Sequence, residues 1–316
     1  MNNGFYEFSR GKQETTSSVF PYTGSAIITG SLQVVGSVSQ GSGTIASGSF
    51  SHAEGQSTVS LGSYSHAEGR ETIANVRGSH AEGYLTSASG YYSHAEGYQT
   101  KTVGQSSHAE GRLTTASGSQ SHAEGTGTIA LGPYSHAEGS SSLASGIASH
   151  AEGFQTIASG SYSHAEGIRT TASGSYSHAE GDSTQAIGNY SHAEGSGAVT
   201  YGEGSHAEGF ATIASGSYQH VQGQFNIASS AQSAFIIGNG TADNARSNLV
   251  FASGSTFQVT GSLNVSGSTT INNILTLQPR TTTPGSPTNG MLIVSGSGAD
   301  QHIYCYLNST WQKLNN

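Results

Sequence analysis

At 316 residues the chain is long enough for two ordinary domains, but 45 glycines and only 9% charged residues exclude the thick apolar core such domains are built on. The formal charge of −9 excludes the basic stripe a phosphate backbone needs, so no nucleic-acid partner is expected. A single cysteine, Cys305, excludes an internal disulfide framework and a cysteine-rich zinc site, and reads as a small apolar strand residue.

Residues 1–24 have no clear period and read as an attachment segment. No basic region followed by an apolar run opens the chain, and no stretch of about eighteen apolar residues occurs in it, so neither Sec export nor membrane insertion is expected. "TGSLQV" at Thr29–Val34 returns nearly unchanged as "TGSLNV" at Thr260–Val265, a strand-turn unit on either side of what lies between. Residues 1–50 are therefore expected to form an attachment and β shaft segment.

From Ser51 the chain repeats itself every fourteen residues without insertion or deletion. The pentapeptide SHAEG carries His52 and Glu54, His66 and Glu68, His80 and Glu82, His94 and Glu96, His108 and Glu110, His122 and Glu124. The series goes on with His136 and Glu138, His150 and Glu152, His164 and Glu166, His178 and Glu180, His192 and Glu194, His206 and Glu208, and ends in the variant "QHVQG" with His220. A second motif, Thr-x-Ala-x-Gly, follows in each unit, as in "TIASG" at Thr156–Gly160. Two short strands per coil result, and period-two alternation assigns each residue a face. Ser, Ala and Gly of the first strand and Thr, Ala and Gly of the second are expected to face each other inside a thin roll. His and Glu then point out of one surface, and a variable set including Val103, Leu131, Ile157 and Ser159 points out of the other. The threonine column, Thr58, Thr72, Thr86, Thr100 and Thr114, shares its parity with Ala and Gly, which argues against an ice-binding face.

Coils stacked at roughly 4.8 Å make residues 51–223 a β-solenoid of about 12–13 coils and about 60 Å. Such a roll buries little by itself, so the chain is expected to associate with copies of itself. A three-fold axis gives every level the same environment, and the invariant His/Glu face suits it better than the variable one. Residues 224–255 read as a capping segment and 256–286 as β shaft and linker, with "RTTTPGSPTNG" at Arg280–Gly290 marking the boundary. Residues 287–316 read as a small β tip: Met291–Val294, a turn at Ser295–Asp300, then Ile303–Leu307 and Trp311. Parity puts Tyr304 and Tyr306 opposite Ile303, Cys305 and Leu307, so the tyrosines, with Trp311, are candidate receptor contacts.

The combination Ser-x-Ala-x-Gly, two residues, Thr-x-Ala-x-Gly resembles the head repeats of YadA-like trimeric adhesins, whose pattern has Val and Ile where this chain has His and Glu. The resemblance covers residues 51–223 and implies an all-β fold, a trimeric left-handed parallel β-roll of 14-residue coils. The SHAEG array, "YQHVQGQFNIA" at Tyr218–Ala228 and "AFIIGNGTADNARSN" at Ala234–Asn248 also resemble bacteriophage tail-fibre proteins. That resemblance implies a virion tail location, tail or baseplate proteins as partners, and a host surface glycan or protein as the receptor.

The repeated pair has three chemical readings. His-x-Glu on a strand is neither the helical His-Glu-x-x-His of metalloproteases nor accompanied by Pro-Cys-x-x-Cys, so catalysis is not expected. Three chains would bring imidazoles and carboxylates together at each level, which makes metal binding conceivable. A hydrogen-bonded polar ladder without metal or cofactor is preferred, with His136 serving Glu138 and imidazoles of a neighbouring chain separating stacked glutamates. Fourteen Glu and Asp182 against five Arg or Lys give Ser51–Gly223 a charge of −10, and the histidines are the donors numerous enough to match it. The expected function is a non-enzymatic homotrimeric fibre of a phage tail or contractile particle, spacer and host-attachment protein in one. The alternatives are a depolymerase tailspike, which needs paired carboxylates in a groove, and a bacterial surface adhesin.

Overall fold

A computed structural model describes residues 35–267, 269–270, 279–280, 287, 290–295 and 302–314. The attachment segment, "TGSLQV" at Thr29–Val34 and most of the turn Ser295–Asp300 lie outside the described residues. The chain divides into two compact units, Met1–Thr260 and Gly261–Asn316. Every element in both is a β-strand, and no helix occurs among the described residues.

In the first unit each coil carries a strand at the SHAEG motif, such as His66–Arg70, and a two-residue strand at the second motif, such as Ile73–Ala74. Like residues pair in parallel between coils, His66 with His80, Ala67 with Ala81 and Glu68 with Glu82. The fold is the expected all-β solenoid of 14-residue coils. Its stack begins one coil before the first SHAEG, with Val38–Ser42 beside His52–Gln56. It continues past Gly223, where Phe235–Asn239 adds in parallel to His220–Gln224 before Asn248–Ser253 and Thr256–Val259 turn antiparallel.

The core is a double file of small side chains. Ala109, Ala116, Ala123 and Ala130 are fully buried, and so are Thr58, Thr72, Thr86, Thr100 and Thr114. The threonines thus point inward as parity requires, while Val103, Leu131 and Ile157 are exposed. Most SHAEG serines tuck the hydroxyl against the carbonyl three residues earlier, as Ser93 Oγ to Gly90 O at 2.7 Å and Ser121 Oγ to Gly118 O at 2.7 Å, with Val76 O as the acceptor for Ser79 and no partner for Ser135 Oγ. This satisfies a buried carbonyl at the corner, where an unpaired one would cost about 1–3 kcal/mol.

The glycines split into two kinds. Gly118, in the second motif, is buried, and a Cβ on it would overlap the carbonyl oxygen of Gly132 in the next coil. The SHAEG glycine departs from the expected parity: Gly111 sits at φ 98°, is exposed, and lies outside the core. A positive φ rotates the backbone out of the strand alternation, so the inward set of that motif is Ser and Ala alone.

Each coil also turns through two left-handed residues that are seldom glycine. One stands two positions before the histidine, as Tyr64 (φ 60°), Tyr162 (φ 59°) and Tyr176 (φ 59°); the other stands five after it, as Glu71 (φ 57°) and Gln155 (φ 55°). A non-glycine residue in this region costs about 1–2 kcal/mol. Here the corner amides are tied to the preceding coil, Tyr64 N to Ser49 O at 2.9 Å and Glu71 N to Gln56 O at 2.8 Å.

At the end of the stack larger side chains replace the small ones. Val221 and Ile236 fill the interior, Asn226 takes the threonine position, and Gln219 takes that of serine. Asn226 accepts from Ile213 N at 2.7 Å and donates to Ile213 O at 2.9 Å, while Gln219 Nε2 donates to Ser229 O and Ala231 O at 2.7 and 2.6 Å. These amides close the backbone groups that a further threonine coil would otherwise meet.

In the second unit Leu292–Ser295, His302–Leu307 and Thr310–Lys313 form an antiparallel meander, with Pro279–Arg280 parallel to its first strand. Asn308 and Ser309 connect the last two strands with φ of 50° and 65°, the geometry of a two-residue hairpin turn whose twist matches the strands.

Candidate functional site: the histidine and glutamate seam

Along one face of the solenoid the histidines form a column. Ring centroids of His108, His122, His136 and His150 follow one another at 4.9, 4.8 and 4.8 Å with planes within 1–2° of parallel. The glutamates form a second column beside them, since residues two apart on a strand share a face. Both lie about one-third exposed, 35% for His136 and 35% for Glu124. The SHAEG glycines run beyond the carboxylates and floor an open groove, lined in one stretch by Glu54, Gly55, Glu68, Gly69, Glu82 and Gly83.

The pairing within the seam differs from the expected one. In the first coils a histidine meets the glutamate of its own unit, His52 with Glu54 at 3.5 Å and His80 with Glu82 at 3.6 Å. Farther along it meets the glutamate of the preceding coil: His122 with Glu110 at 3.3 Å, His136 with Glu124 at 3.4 Å, His192 with Glu180 at 3.1 Å. His136 therefore serves Glu124 and not Glu138, whose contact is His150 at 3.4 Å. The donor belongs to the same chain, so no neighbouring chain has to supply it. The reason is a lean of the glutamates toward the following coil, which strand parity does not specify.

Stacking at this spacing perturbs both columns. Burial holds His80, His94, His150, His178 and His206 below the usual imidazole range, and neighbouring imidazoles add to the effect. Hydrogen bonding to a neighbouring carboxylate, with burial second, pushes Glu82, Glu138 and Glu166 up to about 7. The same bonds, received from Glu82 and Glu138, hold Glu68, Glu96 and Glu152 low. From Glu124 to Glu180 lowered and raised carboxyls alternate, so these groups titrate as a set.

The C-terminal aromatic residues sit differently from their expected exposure. Tyr304, Tyr306 and Trp311 are each half-buried, and the rings of Tyr306 and Trp311 meet across the strands at 5.2 Å. Ile303 and Leu307, on the opposite face, are 39% and 42% exposed, with Cys305 buried between them. The described strands form a single layer, so burial is greatest at the centre of both faces and neither face is wholly apolar.

A feature that the residue-type reading passed over is a tyrosine column at the left-handed corner. Tyr162, Tyr176 and Tyr190 are exposed and stack at 4.9 and 5.0 Å. The signal was the recurrence of Tyr two places before His. Among the described residues outside the seam, Asp182 pairs with Arg169 at 2.9 Å, Asp243 with Arg246 at 2.6 Å and Glu71 with Arg70 at 3.2 Å.

A family model described as the YadA head domain repeat matches residues 39–65, 103–135, 151–177 and 165–191. A search of the curated proteins finds no match. The first matched stretch includes the coil that precedes the first SHAEG, in keeping with a stack that begins at Val38. These stretches of the solenoid are thus similar to YadA head domain repeats.

Proposed function

We propose that this chain is the subunit of a non-enzymatic homotrimeric fibre of a phage tail or contractile particle, in which the solenoid is a rigid spacer and a terminal segment attaches or recognises. The observation that carries the reading is the core itself: alanine, serine and threonine fill the coil, while two wide faces, one invariant and one variable, stay open. A roll so thin buries little apolar surface per residue, so association of three copies about the His/Glu face is the natural source of its stability. That face repeats the same chemistry at every level, so one mode of contact between copies would serve its whole length. Other tail proteins are the partners at one end and a host surface glycan or protein at the other, with Tyr304, Tyr306 and Trp311 as contacts.

A bacterial surface adhesin is the second reading, favoured by the YadA head match. A depolymerase is disfavoured by the ion pairs of Asp182, Asp243 and Glu71 with arginine, since glycosidic cleavage needs two carboxylates flanking the bond. Sedimentation equilibrium of the full chain tests the assembly: three times the chain mass is expected, and a folded monomer at micromolar concentration overturns the shared-face model. Antibody labelling in electron micrographs of particles and of cells separates fibre from adhesin. Reducing-end release from host polysaccharide, lost on removing Asp243, would move the chain to the tailspike class.

A further inference from the structure

Each imidazole of the central seam presents Nε2 to a carboxylate oxygen at a separation longer than a good ionic hydrogen bond. The distances are 3.1 Å for His192 and Glu180, 3.3 Å for His122 and Glu110, and 3.4 Å for His136 and Glu124. A charge-assisted N–H···O bond settles at about 2.7–2.9 Å. Two donors on one tetrahedral ion with bonds of about 2.0–2.1 Å stand about 3.3–3.4 Å apart. The seam therefore already holds the bite of a metal chelate.

A second observation points the same way. Nε2 of His94, His108 and His136 is shielded from solvent and makes no hydrogen bond, although a carboxylate column stands beside it. The ligand atoms of His108, Glu110 and His122 lie within 4.8 Å of one another, and the rings of that stretch are within 2° of parallel. Equivalent nitrogens thus face one direction at every level.

We propose that the seam is a linear array of binding sites for divalent transition cations of the Zn2+ class. Each ion is held by Nε2 of one histidine and by the carboxylate of the glutamate one coil earlier, with water completing the shell in a single chain. Imidazole with carboxylate suits Zn2+ and its neighbours, whereas Mg2+ and Ca2+ prefer all-oxygen shells. Adjacent imidazoles stand 4.8 Å apart, beyond the roughly 4.2 Å that one ion spans between two nitrogens even in line, so each ion takes one histidine. Ions in adjacent coils repel, so filling stops at about half of the levels. The sites lie within one chain and do not depend on the trimer or on what the fibre attaches to.

The test is equilibrium dialysis of untagged full-length protein against Zn2+, with bound metal measured by mass spectrometry and Co2+ absorption reporting four-coordinate geometry. About six Zn2+ per chain are expected, undisplaced by excess Mg2+. The fourfold variant E110Q/E124Q/E138Q/E152Q keeps side-chain shape but removes four anionic ligands, and should lose about a third of the bound zinc with unchanged circular dichroism. Saturation of the wild type at one ion or fewer at roughly 100 µM free zinc overturns the proposal, whether or not the variant folds. Unchanged stoichiometry in a folded fourfold variant overturns it equally.

Discussion

Removing the imidazole of His136 takes away the ring that faces Glu124, whose carboxylate lies 3.4 Å from its Nε2, and leaves Glu138 with His150. The cost depends on what covers the seam. In an isolated roll His136 and Glu124 are each about one-third exposed, and such a pair contributes about 0.2–1 kcal/mol. Buried at a trimer axis, a broken pair costs about 3–5 kcal/mol, because the carboxylate is left without water or donor. If the proposed trimer buries the seam, His136→Ala is therefore expected to cost about 3–5 kcal/mol per chain. The assay is urea unfolding followed by circular dichroism, on His136→Ala, Glu124→Gln, Glu138→Gln and the two double variants. The coupling of His136 with Glu124 should exceed its coupling with Glu138. Equal coupling to both, or none to either, refutes the coil-to-coil pairing; a cost below about 1 kcal/mol refutes a buried seam. Replacing His136 by Val and Glu124 by Ile together should recover most of the loss, since apolar residues often substitute for a buried pair.

Glu138 carries its proton up to about pH 7 in the folded chain but only to about 4.5 when unfolded, so its stabilising effect is present below 4.5 and is lost as pH rises toward 7. Glu138→Gln, which keeps a donor and cannot ionise, should therefore stabilise the protein at pH 8 and lose that advantage by pH 4.5; a pH-independent difference in melting would contradict the shared proton. Thr156 is fully buried and its hydroxyl has no hydrogen-bond partner, so Thr156→Val should raise stability by about 1 kcal/mol, read as a rise in the urea midpoint. Gly118→Ala forces a methyl group onto the Gly132 carbonyl and should cost about 1–3 kcal/mol, while Ser119→Ala on the exposed corner should change the midpoint little.

Much of this fold could be read from spacing. A fourteen-residue register with no slip fixes coil length, and strand alternation sends Ala109, Ala116 and Thr114 inward and His108 and Glu110 outward. Those are local properties of a strand, set by the pleat whatever the neighbours do. The partner of a histidine is not local. His136 reaches Glu124 because side chains lean along the stack, and that lean comes from packing between coils. Gly111 leaves the inward set because its φ of 98° breaks the alternation, and the close approach of the next glycine's carbonyl that demands it exists only once coils are stacked. Tyr176 occupies a strained corner in a ladder of rings for the same reason: its neighbours, Tyr162 and Tyr190, are fourteen residues away in sequence and about 5 Å away in space. At the tip, exposure of Ile303 and half-burial of Tyr304 follow from a single layer of strands, since parity tells which residues share a face and only a second layer decides which face is dry.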